Sequence, residues 1–483
     1  MSRHYDYTDP QAIEEYAKRL EGKSLHDYFG DDLVQTFKGK GRLGQLLEER
    51  YFEYKVNNDA NPDFKEAGVE LKSTPMKTLK NGSYSAKERL VLNIINYMEE
   101  HDKTFRTSSF WHKNAKILLM FYLWEKEKKD IDYIFKFIRL WQFPATDLKI
   151  IKDDWNVIID KIRNGKAHEI SEGDTFYLAA CMKGSTVEES QRQQPFSEVP
   201  AMQRAYSLKN RYMTYIINLC VNNEEVKIDP LEIDYVLDEW NHDSSLCESF
   251  EEYKKKRIKS ESIIKDIKQY NKGESFADYV IRQFKPYINK TYSEIEDIFK
   301  VNYSTAKNKY NLITKAILGI ADASANIAEF MKGDVEVKTI RLESTGTLKE
   351  AMSFKQIQFK DIVEETWEES VWHEILVKKF LFVVYQKEEK SKDCKLKTVF
   401  FWNMPNDDLE VCHQVWLDTQ QKIREGDYSH FIKASNNMIS HVRPKALNSD
   451  DLMETPQGTF EKKKAYWLNR DYIFNIVSKH LEE

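Results

Sequence analysis

The chain has 483 residues, with 73 Lys and Arg against 79 Asp and Glu, 41% hydrophobic and 13% aromatic residues, and only 16 Gly and 11 Pro. At roughly 100–200 residues per domain this is about two to four domains, and the apolar content excludes a disordered or fibrous chain. The net charge of −6 excludes a protein that holds nucleic acid by bulk positive charge, so any such binding needs local patches or bound cations.

Ile13, Tyr16, Ala17 and Leu20 recur at helical spacing and predict a helix over Gln11–Leu20, and a second helix covers Gly44–Tyr54. β-branched and aromatic enrichment predicts strands at Gly68–Ser73, Arg89–Tyr97, Ile117–Trp124 and Ile134–Trp141. A helix around Trp155–Asn164 ends at Gly165, a fitting C-cap. Helices flanking a small mixed sheet predict an α/β (α+β mixed) domain.

An internal repeat sets the organisation. Val69-Glu70-Leu71-Lys72-Ser73 recurs as Val335-Glu336-Val337-Lys338-Thr339, Trp111-His112 as Trp372-His373, and Trp155 as Trp416, each tryptophan six residues before Lys-Ile-Arg. Lys183 recurs as Lys445 and Ala205-Tyr206 as Ala465-Tyr466, all five in order at offsets of 260–266. The chain is thus a tandem duplication, with one copy over residues 1–222 and another over 273–483. Residues 223–272, with the charged run Glu251–Arg257, are expected to form a helical linker. The first copy is nearly neutral, with 34 basic and 33 acidic side chains in residues 1–222, against 39 and 46 in the remainder.

Five cysteines (Cys181, Cys220, Cys247, Cys394, Cys412) form no C-x-x-C pair, which speaks against a disulfide scaffold or zinc ribbon. The N-terminus lacks the apolar core of a signal peptide, and no run of 18 apolar residues occurs. The expectation is a soluble cytoplasmic protein without a membrane partner.

In the first copy, Asp63 is followed after six residues by Glu70-x-Lys72. On a strand Glu70 and Lys72 share one face while Val69 and Leu71 enter the core. Asn61-Pro62 and Gly68 allow the chain to reverse and bring Asp63 beside Glu70. Two carboxylates held together call for a hard divalent cation such as Mg²⁺, and with an adjacent ammonium the set suits phosphodiester hydrolysis. Glu48, at the polar edge of the helix just upstream, is a candidate further metal ligand. Lys113 is placed to reach a scissile phosphate from a neighbouring strand end, and His112 serves packing or a phosphate contact.

Gly44-x-Leu46-Leu47-Glu48, Asp63-Phe64, Gly68-Val69-Glu70-Leu71-Lys72, His112-Lys113 and Tyr177-Leu178 resemble, in order and spacing, the motifs of the MutH mismatch-repair nickase, a PD-(D/E)xK nuclease. The duplication resembles the tandem GATC-cutting type II restriction endonucleases, which carry two MutH-like domains in one chain. The resemblance implies that Asp63 and Glu70 ligate Mg²⁺ with Glu48 as an auxiliary acid that ligates the metal or supports its ligands, that Lys72 is the catalytic lysine and Lys113 an active-site lysine, and that both strands of double-stranded DNA are cut at GATC. It further implies a cognate DNA methyltransferase in the same system. Alternatives are a MutH-like repair nickase, which one domain would suffice for, and a non-catalytic DNA-binding regulator.

An ungapped alignment through Glu70 and Glu336 places Glu329 opposite Asp63, Lys338 opposite Lys72 and Thr314 opposite Glu48, and the Trp111-His112 and Trp372-His373 repeat places Glu374 opposite Lys113. A glutamate in place of that lysine would repel the phosphate, so the second copy is expected to cut little or not at all. Arg443-Pro444-Lys445 resembles the family's DNA-reading loop, in which Arg bonds guanine bidentately and Pro touches a thymine methyl. The first copy has Cys181-Met182-Lys183 there and would read with Lys183 or Lys209; the family's late tyrosine falls on Ser207. The expectation is a cutting first copy, an effector-binding second copy, and two chains pairing transiently on a palindrome.

Overall fold

The computed structural model describes residues 4–30, 42–54, 60–184, 190–238, 260–303, 306, 308–391, 393–436 and 439–481. The charged run Glu251–Arg257 and Cys247 lie outside the described residues; Cys181, Cys220, Cys394 and Cys412 are free thiols. The chain forms two compact units. One comprises Met1–Arg257, Ile264–Phe276 and Met331–Gly333; the other comprises Ile258–Ile263, Ala277–Phe330 and Asp334–Glu483.

In the first unit, α1 (Pro10–Lys18) starts at Asp9, whose side chain accepts from the Gln11 N–H, and buries Ile13, Tyr16 and Ala17. The second predicted helix is shorter and irregular. α2 (Arg42–Leu46) runs into a π-turn over Leu47–Tyr51, with the Phe52 N–H bonded to the Leu47 carbonyl at 2.8 Å. Then come β1 (Glu70–Thr78), β2 (Tyr84–Ala86), β3 (Leu90–Ile94), α3 (Ser109–Asn114), β4 (Lys116–Leu123) and β5 (Phe135–Gln142). They form a mixed sheet in the order β2-β1-β4-β5, with β1 parallel to β4 and β4 antiparallel to β5. All of Ile117–Phe121 in β4 is buried, which explains its unbroken apolar run: both faces of the strand are covered.

α4 (Ala145–Arg163) begins behind Pro144, ten residues before the predicted start, and ends at Asn164 and Gly165. Gly165 has φ +67°, and a Cβ there would lie 2.7 Å from the Phe196 carbonyl oxygen, so only glycine closes this helix without a shift. β6 (Leu178–Met182), the hairpin β7 (Gln191–Gln194) and β8 (Ser197–Met202), and β9 (Arg204–Leu208) follow, before α5 (Asn210–Asn222) and α6 (Pro230–Asp238). β3, β9 and β6 make a second, antiparallel sheet, so among the described residues the copy has two sheets of three or more strands rather than one, besides the hairpin β7-β8. α6 packs in the first unit, where the Lys152 ammonium donates to the Val236 carbonyl at 2.7 Å.

The second unit repeats this plan. It contains α7 (Lys309–Ile317), α8 (Ala328–Gly333, whose last three residues group with the first unit), β10 (Val335–Leu342), β11 (Met352–Gln356), α9 (Val371–Leu376), β12 (Lys379–Lys387), β13 (Cys394–Trp402), α10 (Asn406–Glu425), β14 (Ser440–Pro444), the hairpin β15 (Leu452–Glu454) and β16 (Phe460–Lys462), β17 (Lys464–Leu468) and α11 (Arg470–Lys479). Its sheets run β10-β12-β13 and β11-β17-β14, matching β1-β4-β5 and β3-β9-β6 strand for strand. Glu336 pairs with Phe380 in the parallel ladder as Glu70 pairs with Ile117.

The first unit's core beside β1 gathers Leu46, Leu47, Phe52, Phe64, Val69, Leu71, Leu118 and Met120. Phe64 is buried against the rings of Phe52 and Tyr54, with centroids 5.2 and 5.3 Å away. Phe64→Ala is expected to cost about 3–5 kcal/mol in denaturant unfolding, the usual cost of an aromatic cavity.

Candidate active site

The Asp63-x6-Glu70 spacing is the geometry of a tight hairpin. Phe64 and Val69 exchange two backbone hydrogen bonds, of 2.9 and 3.2 Å, and Gly68 takes the left-handed φ of +64° that closes the intervening loop. The residues just outside that pair, Asp63 and Glu70, must then face each other. The Asp63 N–H donates to Glu70 Oε2 (3.3 Å) and the Leu71 N–H to Asp63 Oδ2 (2.9 Å). Val69 and Leu71 enter the core, as the alternation predicts, but Glu70 is buried as well, its side chain only 2% exposed.

That buried carboxylate sits between two ammonium groups. Lys72 Nζ, two residues along the same strand face, lies 2.7 Å from Oε1, and Lys113 Nζ lies 3.7 Å from Oε2. Lys113 arrives from α3, which starts where Ser108 Oγ accepts the Trp111 N–H. His112 ties α3 to the hairpin through a 3.1 Å contact between Nε2 and Asn61 Oδ1. Burial pushes the Glu70 pKa up and Asp63 adds to this, while Lys72 and Lys113 oppose it. Glu48 projects from the π-turn into the same field. Burial and then the Asp63 charge, with a smaller push from Glu70, raise its pKa to about 7 against the pull of Lys72.

Sequence reasoning missed Tyr54. Its hydroxyl is enclosed, has no hydrogen-bond partner, and is held far less acidic than usual by burial and by Asp63, Glu48 and Glu70. Its place between Glu48 and Asp63 in the chain was the available signal.

Among the described residues, no three Asp, Glu, His or Cys side chains are arranged as a formed metal cluster. Lysines occupy both Glu70 oxygens, and a backbone N–H occupies Asp63 Oδ2. The donor chemistry still fits a hard divalent cation. The groups are oxygen donors, and burial together with the Asp63 and Glu70 charges makes a negative Glu48 costly there, a cost that a cation would relieve.

The second unit does not assemble this set. Residues 328–333 are helical where the first unit has a hairpin, so the same six-residue spacing sends Glu329 elsewhere, to the Ser262 hydroxyl and the Ile263 N–H. Glu336 and Lys338 keep their 2.7 Å contact, but the Glu336 side chain is 37% exposed. Thr314 is buried and donates to the Tyr310 carbonyl at 2.8 Å. The expected opposition of Glu374 and Lys113 is corrected by the helix caps. Ser370 Oγ accepts the His373 N–H as Ser108 Oγ accepts the Trp111 N–H, both at 3.0 Å. The Trp-His repeat is therefore one residue out of register. Buried Trp372 replaces buried Phe110, exposed Glu374 replaces His112, and buried Ile375 stands where Lys113 does. Burial fixes the register here more strongly than residue identity does.

The strand ladders support the other alignment. Cys181 pairs with Ala205 as Arg443 pairs with Ala465, and Met182 with Arg204 as Pro444 with Lys464. Arg443 and Pro444 are exposed at the end of β14, and the Lys445 ammonium bonds the Phe354 carbonyl. Burial and the Lys338 charge lower the Lys445 pKa. Lys183, at the end of β6, is partly exposed. Lys209 is half-buried, with its ammonium on the Thr175 carbonyl, so it props the fold at the start of α5.

The family model for the DNA mismatch repair enzyme MutH matches residues 52–154 and again 318–414, once in each unit. The Staphylococcus aureus Type II restriction enzyme Sau3AI is 34% identical over 518 aligned positions, covering 97% of this chain and 98% of that protein. The chain belongs to the MutH-like restriction endonucleases. The DNA mismatch repair protein MutH of Buchnera aphidicola is 28% identical over 32% of this chain and 68% of its own length, and that of Vibrio campbellii is 26% identical over 43% and 94%. As in other MutH-like endonucleases, the reaction class is site-specific hydrolysis of DNA. No described helix is long and apolar enough to cross a membrane.

In this MutH-like endonuclease, Glu48 loads the fold with an unfavourable charge. A carboxyl whose folded pKa lies above its unfolded value contributes stability below the unfolded value and loses it as pH rises through the folded one. Glu48→Gln is therefore expected to raise the melting temperature at pH 8 in the absence of divalent ions, with a smaller gain at pH 5, in paired thermal scans.

Proposed function

We propose that the chain is a type II restriction endonuclease that hydrolyses both strands of double-stranded DNA at GATC with Mg²⁺, the first unit cutting and the second binding an effector GATC site. One observation carries the division of labour: Asp63, Glu70, Lys72 and Lys113 converge in the first unit, while Glu329, Glu336 and Lys338 do not converge in the second.

Asp63, Glu70 and Glu48 would hold Mg²⁺, which when bound polarises a phosphodiester and acidifies a water. Lys72 Nζ keeps a positive charge beside Glu70, where it orients the attacking oxygen and stabilises its charge. Lys113 Nζ supplies a second positive charge from α3 toward the phosphate. The hairpin holds Asp63 and Glu70 in place before substrate arrives, which lowers the ordering cost at the moment of reaction. Arg443 offers a planar fork to a guanine edge and Pro444 an apolar face to a thymine methyl, with Lys445 beside them and Lys183 as the first unit's remaining counterpart. A palindrome needs two cuts, and a chain with one competent site supplies them by transient pairing of two chains on DNA. A cognate DNA methyltransferase would protect host sites in the same cytoplasm.

The test is incubation with plasmid DNA, with and without Mg²⁺. Linear fragments with GATC ends support this reading, nicked circles favour a repair nickase, and intact plasmid favours a regulator. Lys72→Ala is expected to lower cutting by at least about a hundred- to thousandfold while leaving DNA binding in place. Arg443→Ala should slow cutting, and Glu336→Ala should leave far more activity than Glu70→Ala in the same assay.

A further inference from the structure

The antiparallel ladder of β14 and β17 sets His441 opposite Trp467 and Arg443 opposite Ala465. Residues 441, 443 and 445 share a strand face, so Trp467 is the direct neighbour of His441 and the diagonal neighbour of Arg443. The Arg443 guanidinium carbon lies 3.6 Å from the Trp467 ring centroid, and Lys445 Nζ lies 5.9 Å from the same ring. The His441 ring stacks on Trp467 at 6.5 Å and 20°, and is buried and anchored through Nδ1 to Asn469. Burial holds the His441 pKa down, and the Arg443 charge adds to this. The Trp467 Nε1 is enclosed without a hydrogen-bond partner. The indole is therefore used through its face.

Of these parts the first unit keeps only the lysine, as Lys183. Across the equivalent ladder Ala179 stands for His441, Cys181 for Arg443 and Ser207 for Trp467. The tryptophan platform and the arginine it carries are present together in the second unit and absent together from the first.

We propose that Trp467 is a positioning residue for DNA reading, its indole face holding the Arg443 guanidinium flat and extended at the exposed end of β14 so that the fork meets a guanine edge already ordered. This rests on the second unit being the DNA-binding one. A long, rotamer-rich side chain loses less freedom on binding when a cation–π contact has already restricted it.

The experiment uses the full-length chain carrying Lys72→Ala to prevent cutting. Fluorescence anisotropy compares binding to a GATC duplex and to the same duplex with 7-deazaguanine, which lacks the N7 acceptor that a bidentate arginine needs. The ratio of the two affinities reports the guanine contact. Arg443→Ala sets its floor. Trp467→Leu is expected to shrink the ratio about three- to tenfold toward that floor, the range of a partly exposed cation–π contact. Trp467→Phe should retain most of it, with melting temperature and affinity for a site-free duplex unchanged in both. If Trp467→Leu keeps the full ratio while Arg443→Ala loses it, the positioning role is wrong and the DNA reading stands. If Trp467→Phe loses as much as Trp467→Leu and melts earlier, the tryptophan is merely structural and the proposal fails. If Arg443→Ala leaves the ratio untouched, the reading of the second unit falls with it.

Discussion

The first unit depends on the reversal of chain between Phe64 and Val69. Two backbone hydrogen bonds and a left-handed glycine bring two carboxylates face to face at the mouth of a buried strand. Like charges in that position repel, and the rest of the site answers that repulsion. Lys72 comes from the same strand face and Lys113 from α3, just before the neighbouring parallel strand, and burial together with the Asp63 charge raises the Glu48 pKa. The core behind the hairpin, with Phe52, Tyr54 and Phe64 packed ring against ring, stops the carboxylates from relaxing apart.

Duplication then let the two units lose different things. The second keeps the ladder beneath the site, with Glu336 placed beside β12 as Glu70 is beside β4, yet a helix replaces the hairpin and an apolar side chain replaces the lysine. The first keeps the ladder of β6 and β9 but has Cys181 and Ser207 where the second has Arg443 and Trp467. Backbone pairing is held by hydrogen bonds that hardly depend on side-chain identity, so it outlasts the chemistry mounted on it. The same scaffold carries different side chains in its two copies.

Much of the fold was legible in the sequence because burial imposes periodicity. The unbroken apolar run of β4 and the buried apolar positions of α4 up to its end at Gly165 show it, whereas the buried Glu70 between Val69 and Leu71 breaks the expected alternation. The division of each copy into two sheets was not legible, because β3, β9 and β6 are far apart in the chain and their pairing leaves no local pattern. The π-turn that carries Glu48 was hidden for a related reason: it changes one hydrogen-bond step while leaving the apolar spacing nearly intact.

By itself the sequence determined that there are two copies, that one carries acid-x6-Glu-x-Lys with Glu48 and Lys113, and that only the other carries Arg443-Pro444-Lys445. The tertiary structure decided what identical spacing means. Asp63 and Glu329 each stand seven residues before a glutamate, but one chain segment closes as a hairpin and the other coils as a helix, so only Asp63 faces its partner. It also decided the register of α9, where the cap and the buried aromatic overrule the repeated Trp-His pair. Spacing counts residues along the chain, whereas charge and hydrogen bonding act through space, and the backbone path converts one into the other.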